Sequence, residues 1–445
     1  MPFLLLLIAL IASSLPPAGW AQEPSIEEPT PEPALADAPS TPLPPWNFHS
    51  RRTLIGYLTQ QSVEIDGPYN PGNQLARIPK QLANFEWRED LRLNIGSCDA
   101  GTDFRLVGQR VLRADADTDR QWQHQAYART GSIGCRFGDG FEARLGREVL
   151  QWGNATFRSP SNPFFIDTGK TDPIRELFGK DFLQFSWRSE SGLKLSALHH
   201  FGNASRDNTA MGAFRPTTAV RIEQTDPTQN AGIIVSARRG DGMRVGSYLT
   251  RTLSDAWLAY ADISLQRGSD GLYPVADAQA PSGWRMAKRT SDSLYATTLL
   301  GAAYTFESGW TLTGELLYDP RGYNAVERRQ AQSAALAGSA LFGTESQPSG
   351  AALLGSLQQP QLMAIGQRYV FLQLLRSDWH NRADVAVRLS HNVDDGSSQL
   401  SGSLTWFLND STQLLWLVAF NHGPNSAEFS RNVRWSNLLG LRFTL

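Results

Sequence analysis

Cysteine, lysine and long apolar runs are all scarce in this chain, and each scarcity removes a class of protein. Its two cysteines, Cys98 and Cys135, stand far apart among 445 residues, and its 7 histidines are scattered. No metal-ligand cluster and no cofactor motif emerges from them. Beyond the first dozen residues no run is apolar enough to cross a bilayer as a helix, which argues against an inner-membrane protein. A mean hydropathy of -0.32 is likewise too polar for a helical membrane protein. The net charge of -2 offers nucleic acid no electrostatic footprint. Of the 41 basic residues only Lys80, Lys170, Lys180, Lys194 and Lys288 are lysine, so arginine carries nearly all the positive charge. Genome composition accounts for this most simply; a guanidinium-lined path for acidic solutes is the sharper reading. No histidine and serine stand in the H-x-S spacing of an outer-membrane phospholipase: Ser390 and His391 are adjacent and would face opposite ways on a strand. The chain reads as no enzyme.

The N-terminus has what the rest lacks. Phe3 to Ala12 is an unbroken apolar run, followed by Ser13, Ser14 and small residues at Gly19 and Ala21. That pattern predicts a secretory signal peptide over 1–21, cut before Gln22, although no basic residue precedes the run. Residues 22–50 read as a disordered linker, with eight prolines up to Pro45 and five acids from Glu23 to Asp37. It would serve as a periplasmic spacer or engage a periplasmic partner. No plug-sized segment lies between it and the first strand, which argues against a TonB-linked receptor.

From residue 51 to 445 the chain alternates with period two between short turns. Leu91, Leu93 and Ile95 alternate with Arg92 and Asn94; Leu183, Phe185 and Trp187 with Gln184 and Ser186; Leu439, Leu441, Phe443 and Leu445 with Gly440, Arg442 and Thr444. The last strand has no following segment to cover its apolar face, so lipid is the partner it implies. Short turns at Phe137–Gly140, Ser189–Gly192, Glu307–Gly309 and Asn409–Ser411 read as hairpins, and the long connections at 153–181, 267–293 and 319–366 fall at the opposite end. Keeping both barrel ends on the periplasmic side requires a further strand over Thr218 to Glu223. The prediction is an all-β, antiparallel up-and-down transmembrane barrel of about 18 strands, with 16 as the fallback. Cys98 and Cys135 fall at periplasmic strand ends, two strands apart in this layout, and predict a disulfide in an oxidising compartment.

The densest cluster runs from Gly146, Arg147 and Glu148 to Trp152 and Gly153, followed by the Asn162–Pro163 pair. It resembles the G-R-(Q/E)-x-x-x-W-G element of a large, poorly characterised proteobacterial outer-membrane barrel family over residues 139–165. More loosely it is similar to the alginate-export type of 18-stranded porin. Glu148 departs from the commoner glutamine. Leu445 departs from the usual terminal aromatic, leaving Phe443 to serve the barrel-assembly machinery in part. The resemblance implies an outer-membrane channel or export barrel and no particular substrate. From the residues themselves, a wall-to-loop packing role for the element is favoured over contact with solute.

Inward parity gathers Arg88, Arg92, Arg129, Arg144, Glu148, Arg188, Arg221 and Arg388 as pore-lining candidates. About half are expected to brace the wall against carboxylates, leaving a mild anion preference. Asp172–Phe178 predicts one capped helical turn in a loop folded into the lumen, and Ala325–Phe342 a helix in the longest connection. Arg175, Arg328 and Arg329 are the candidates for narrowing the pore. The function these observations predict is a channel in the bacterial outer membrane for a small polar solute, with anions favoured. The alternatives are the outer-membrane component of an export system and a non-conducting surface or assembly scaffold.

Overall fold

The computed structural model describes residues 46–114, 122–203, 214–240, 242–289 and 293–445. The expected signal peptide and the linker up to residue 45 lie outside the described residues. Twenty strands follow in chain order: β1 Trp46–Val63, β2 Gln81–Ile95, β3 Cys98–Arg113, β4 Gln123–Phe137, β5 Phe141–Glu148, β6 Lys180–Arg188, β7 Leu193–Asn203, β8 Thr217–Thr225, β9 Gln229–Arg238, β10 Met243–Thr252, β11 Trp257–Arg267, β12 Leu272–Ala276, β13 Trp284–Lys288, β14 Leu294–Thr305, β15 Thr311–Tyr318, β16 Arg368–Trp379, β17 Ala383–Asn392, β18 Ser398–Phe407, β19 Thr412–His422 and β20 Val433–Thr444. Two helices, α1 Ala325–Ser339 and α2 Gln347–Gln358, sit between β15 and β16.

All strands but β12 and β13 belong to one 18-stranded antiparallel sheet. It closes where β20 pairs with β1, from Thr53 opposite Thr444 up to Val63 opposite Val433. Closure removes the unpaired backbone edges that lipid cannot satisfy. The period-two pattern decides which face is which. Phe85, Trp87, Phe185, Ile233, Leu316, Trp416 and Leu441 are exposed on the outside, while their neighbours of opposite parity point inward. Turns of two to five residues join strands at one end; at the other lie the connections over 64–80, 149–179, 268–293, 319–367 and 423–432. Trp46 and Thr444 both lie at the short-turn end, the periplasmic one in such barrels.

Several expectations shift in detail. Pairing with β2 begins at Trp46, so the last five residues assigned to the linker belong to β1. The strand expected over Thr218 to Glu223 is present as β8. The connection expected as loop at 267–293 carries a hairpin of its own, β12–β13. Asp172–Phe178 forms no helix: the Asp172 carboxylate does accept the Ile174 and Arg175 N–H groups, at 2.9 and 3.1 Å, but the following residues are drawn out to the wall. In the longest connection α1 ends at Ser339, short of Phe342. It begins with a capping box, Asn324 accepting from Val326 and Glu327 while the Glu327 side chain returns to the Asn324 N–H. Cys98 and Cys135 are joined by a disulfide and stand directly opposite on neighbouring strands, Cα atoms 4.0 Å apart, rather than two strands apart.

Candidate functional site: a lumen narrowed by the 149–179 loop

β5 has only 8 residues, so the chain leaves the wall early and the loop after it starts inside the barrel. Gly146 makes this exit possible. It has φ +139, and a Cβ there would lie 2.3 Å from the Gly131 carbonyl oxygen of the facing strand. Arg147 then turns outward, its guanidinium bonded to Asp181 at 2.8 and 3.1 Å, while Glu148 faces in and accepts from Ser132 at 2.9 Å. Trp152 is buried in an aromatic cluster with Phe164, and the Arg221 guanidinium lies 4.9 Å above its ring. Asn162 organises the following bend. Its amide donates to the Leu150 carbonyl at 2.9 Å and its oxygen accepts from Phe164 and Phe165 at 3.0 and 2.9 Å.

The loop crosses the lumen and is tied to both sides. On one side Glu315 accepts the Phe157 N–H at 2.8 Å and the Tyr260 hydroxyl at 2.7 Å, and Asp262 accepts the Ser159 hydroxyl at 2.7 Å. On the other, Glu176 takes a two-pronged ion pair from Arg105, at 2.7 and 2.8 Å. Arg88 donates to the Ile174 carbonyl at 2.8 Å, Arg129 to that of Leu177 at 3.2 Å and Arg442 to that of Pro173 at 2.9 Å. Burial works to raise the Glu176 carboxyl, but Arg105, Arg88 and Arg129 outweigh it and hold it below the ordinary range. Asp167 is held down against burial in the same way by Arg158, Arg175 and the Gly169 N–H.

The inward arginines of β2 to β5, Arg88, Arg92, Arg105, Arg129 and Arg144, are consumed by carboxylates. Arg88 meets Glu86 at 2.6 Å and Arg92 meets Asp103 at 2.6 Å. Arg105 adds Asp90 at 2.7 Å, Arg129 adds Asp103, and Arg144 spans Asp99 and Glu142 at 2.8 and 2.9 Å. This wall is a cross-braced ladder. Arg105 and Glu176 are its hub, and the sequence reading passed over both. Arg105 shares parity with Asp103 against Phe104 and Leu106, a usable signal, whereas nothing local tells that Glu176 will reach β3.

The opposite wall is different. Between the loop and β16 to β20 with β1 lies a cavity of about 450 Å³. Its barrel side carries the neutral hydrogen-bonding groups Thr59, Gln61, Ser390, Gln399, Ser401, Ser403 and Ser436, interspersed with Phe371, Leu417 and Leu438. Its loop side carries Phe157, Arg158, Asp167, Asp172 and Arg175. Arg388 is the cation of the barrel side. It donates to Gln373 at 2.7 Å and Ser403 at 3.1 Å, with no carboxylate in ion-pair contact among the described residues.

Of the candidates, then, Arg388 and Arg175 line this cavity, while Arg92, Arg129, Arg144 and Glu148 line a second one, also of about 450 Å³, along the braced wall. Arg88, Arg92, Arg129, Arg144 and Glu148 lie in the braced wall, and Arg221 is 3.5 Å from Glu223 beside Trp152. Arg188 is exposed at the short-turn end of β6. Arg328 and Arg329 are on α1, in a cap of α1, α2, β12 and β13 built on Tyr273, Tyr323, Ala334 and Leu354; neither lines the cavity.

No protein-family model matches the chain, and no curated protein matches it in sequence. Solved structures do match. OpdK of Pseudomonas aeruginosa, in a structure with vanillate, is similar at a TM-score of 0.54 and 11% identity over 90% of this chain and 98% of that one. OccK2 (OpdF) of Pseudomonas aeruginosa gives 0.53 and 14%, and a BenF-like porin from Pseudomonas fluorescens Pf-5 gives 0.53 and 11%, each over the same shares. At such identities the likeness is one of fold. With a closed 18-stranded barrel and an apolar exterior, the chain is a bacterial outer-membrane β-barrel of porin architecture. The comparisons support neither the G-R-E-x-x-x-W-G element as the mark of a family nor the alginate-export type.

Proposed function

We propose that this barrel is a passive outer-membrane channel for small polar solutes, and that the solute passes along the neutral wall of β16 to β20 and β1. The observation that carries the reading is the cavity left beside the in-folded loop. The loop is pinned to the braced wall and to β10, β11 and β15, and the cavity beside it presents hydroxyl and amide groups without the ion-pair ladder that fills the space along the braced wall. A narrow path lined by hydrogen-bonding groups replaces part of a solute's hydration shell without the deep binding that would trap it.

The anion preference expected from the arginine count rests here on few groups. On the loop side Arg158 and Arg175 pair with Asp167, with Asp172 beside them; Arg388 stands on the barrel side, and Glu428 accepts from Tyr369 and Asn392. These three guanidinium groups are matched in number by three carboxylates, so the preference is mild and rests on Arg388, which has no carboxylate in ion-pair contact among the described residues.

The test is single-channel recording of the refolded barrel in a planar bilayer, with reversal potential under a salt gradient. Vanillate and glucose serve as added probes, one acidic and one neutral. Steady openings with weak anion selectivity, interrupted by either probe, are the expected result. A barrel that folds, shown by a heat-dependent gel shift, yet never conducts would refute the channel and leave the export-component or scaffold reading.

A further inference from the structure

On the outer face of the barrel a groove of about 640 Å³ lies on β3 and β4. Its floor is Gly108. Phe85 and Leu106 form one side; Trp122, His124 and Ala126 form the other. The Trp122 and His124 rings lie parallel, with an interplanar angle of 9° and centroids 6.2 Å apart. A groove so lined, on a surface that faces lipid, takes hydrocarbon.

A second feature gives the occupant a headgroup. Arg110 stands two residues beyond Gly108 on the same strand face, roughly 7 Å further toward the long-loop end. It is exposed, and Arg113 beyond it is exposed too. The long-loop end is the extracellular one, where the leaflet's lipid carries phosphates on its sugar headgroup. An apolar channel ending at exposed guanidinium groups is complementary to an acyl chain that ends at a phosphate.

We infer that this groove binds one phosphorylated glycolipid of the outer leaflet, a lipid A-type molecule, with an acyl chain over Gly108 and a phosphate at Arg110. The site is separate from the lumen, and the inference stands whether or not the barrel conducts.

The structure supplies a clean test. A Cβ added at Gly108 would meet Trp122 and His124 at 3.5 and 3.6 Å, ordinary contact distances, so the backbone there accepts a side chain and the larger Gly108→Leu extends into the groove. The full chain, reconstituted with lipid A and re-extracted in mild detergent, is examined by native mass spectrometry for retained lipid. The wild type is expected to retain one lipid A. Gly108→Leu and Arg110→Gln should each retain it roughly tenfold less, with the heat-dependent gel shift unchanged. Lipid A stripped of its phosphates should be retained as poorly by the wild type as intact lipid A is by Arg110→Gln. Retention unchanged in either variant, or no retention by the wild type, would overturn the site.

Discussion

A guanidinium in a channel acts on passing ions only to the extent that its charge is uncompensated, so the number of inward arginines says little until their partners are known. Arg105 illustrates the compensated kind: it is 2% exposed, and both its neighbours are carboxylates. Arg105→Gln strands Glu176 and Asp90, and the expected cost is roughly 3 kcal/mol, read as a lower temperature for loss of the heat-dependent gel shift. Arg388 illustrates the other kind. Arg388→Gln should leave that temperature almost unchanged and move the reversal potential toward zero; an unmoved potential would remove Arg388 from the selectivity argument. Strand parity alone placed Arg88, Arg92, Arg129, Arg144 and Arg388 inward, because the period of two is fixed by the backbone. It could not distinguish braces from free charges, since Glu176 comes from a loop 71 residues beyond Arg105.

At the scale of elements, the 149–179 loop is the part that makes a wide barrel narrow. Over 173–177 its backbone is satisfied by the wall rather than by itself, with the carbonyls of Pro173, Ile174 and Leu177 all taken by arginines. This is why the capped turn that Asp172 and Pro173 suggested does not continue into a helix. Two of its carboxylates titrate, Glu176 holding the loop to the wall and Asp167 holding the loop to itself. Glu176 and Asp167 are held below the ordinary carboxylate range, so their contribution is present above about pH 4 and is lost as pH falls through their folded values. Channel openings are therefore expected to grow larger and noisier on acidification below about pH 4. Glu176→Gln should show the same behaviour at neutral pH, and a wild-type record independent of pH would contradict the anchoring. Gly146 sets where the loop begins; Gly146→Ala, with a positive φ and a carbonyl at 2.3 Å, should cost about 1–3 kcal/mol of barrel stability.

For the molecule as a whole, alternation, turn lengths and the requirement that both barrel ends share one side were enough to read 18 strands, including the concealed β8. What the pattern could not supply was the content of the long connections. The hairpin β12–β13 and the helix α2 are held by packing on Tyr273, Tyr323 and Leu354 rather than by a periodicity of their own. The disulfide belongs to this scale as well, since it staples β3 to β4 at the short-turn end. A thiol reagent is expected to label Cys98 and Cys135 only after reduction and unfolding; labelling without reductant would contradict the bridge. The native cysteines are thereby silent, which makes introduced ones informative about the path. The most direct test of the central claim is current block by a charged thiol reagent at single introduced cysteines. Ser401→Cys and Ser436→Cys, on the open wall, should lose conductance on modification, while Ser264→Cys, 1% exposed among the residues beneath the loop, should not. Block at Ser264→Cys with none at Ser401→Cys and Ser436→Cys would place the path elsewhere in the lumen and contradict the account.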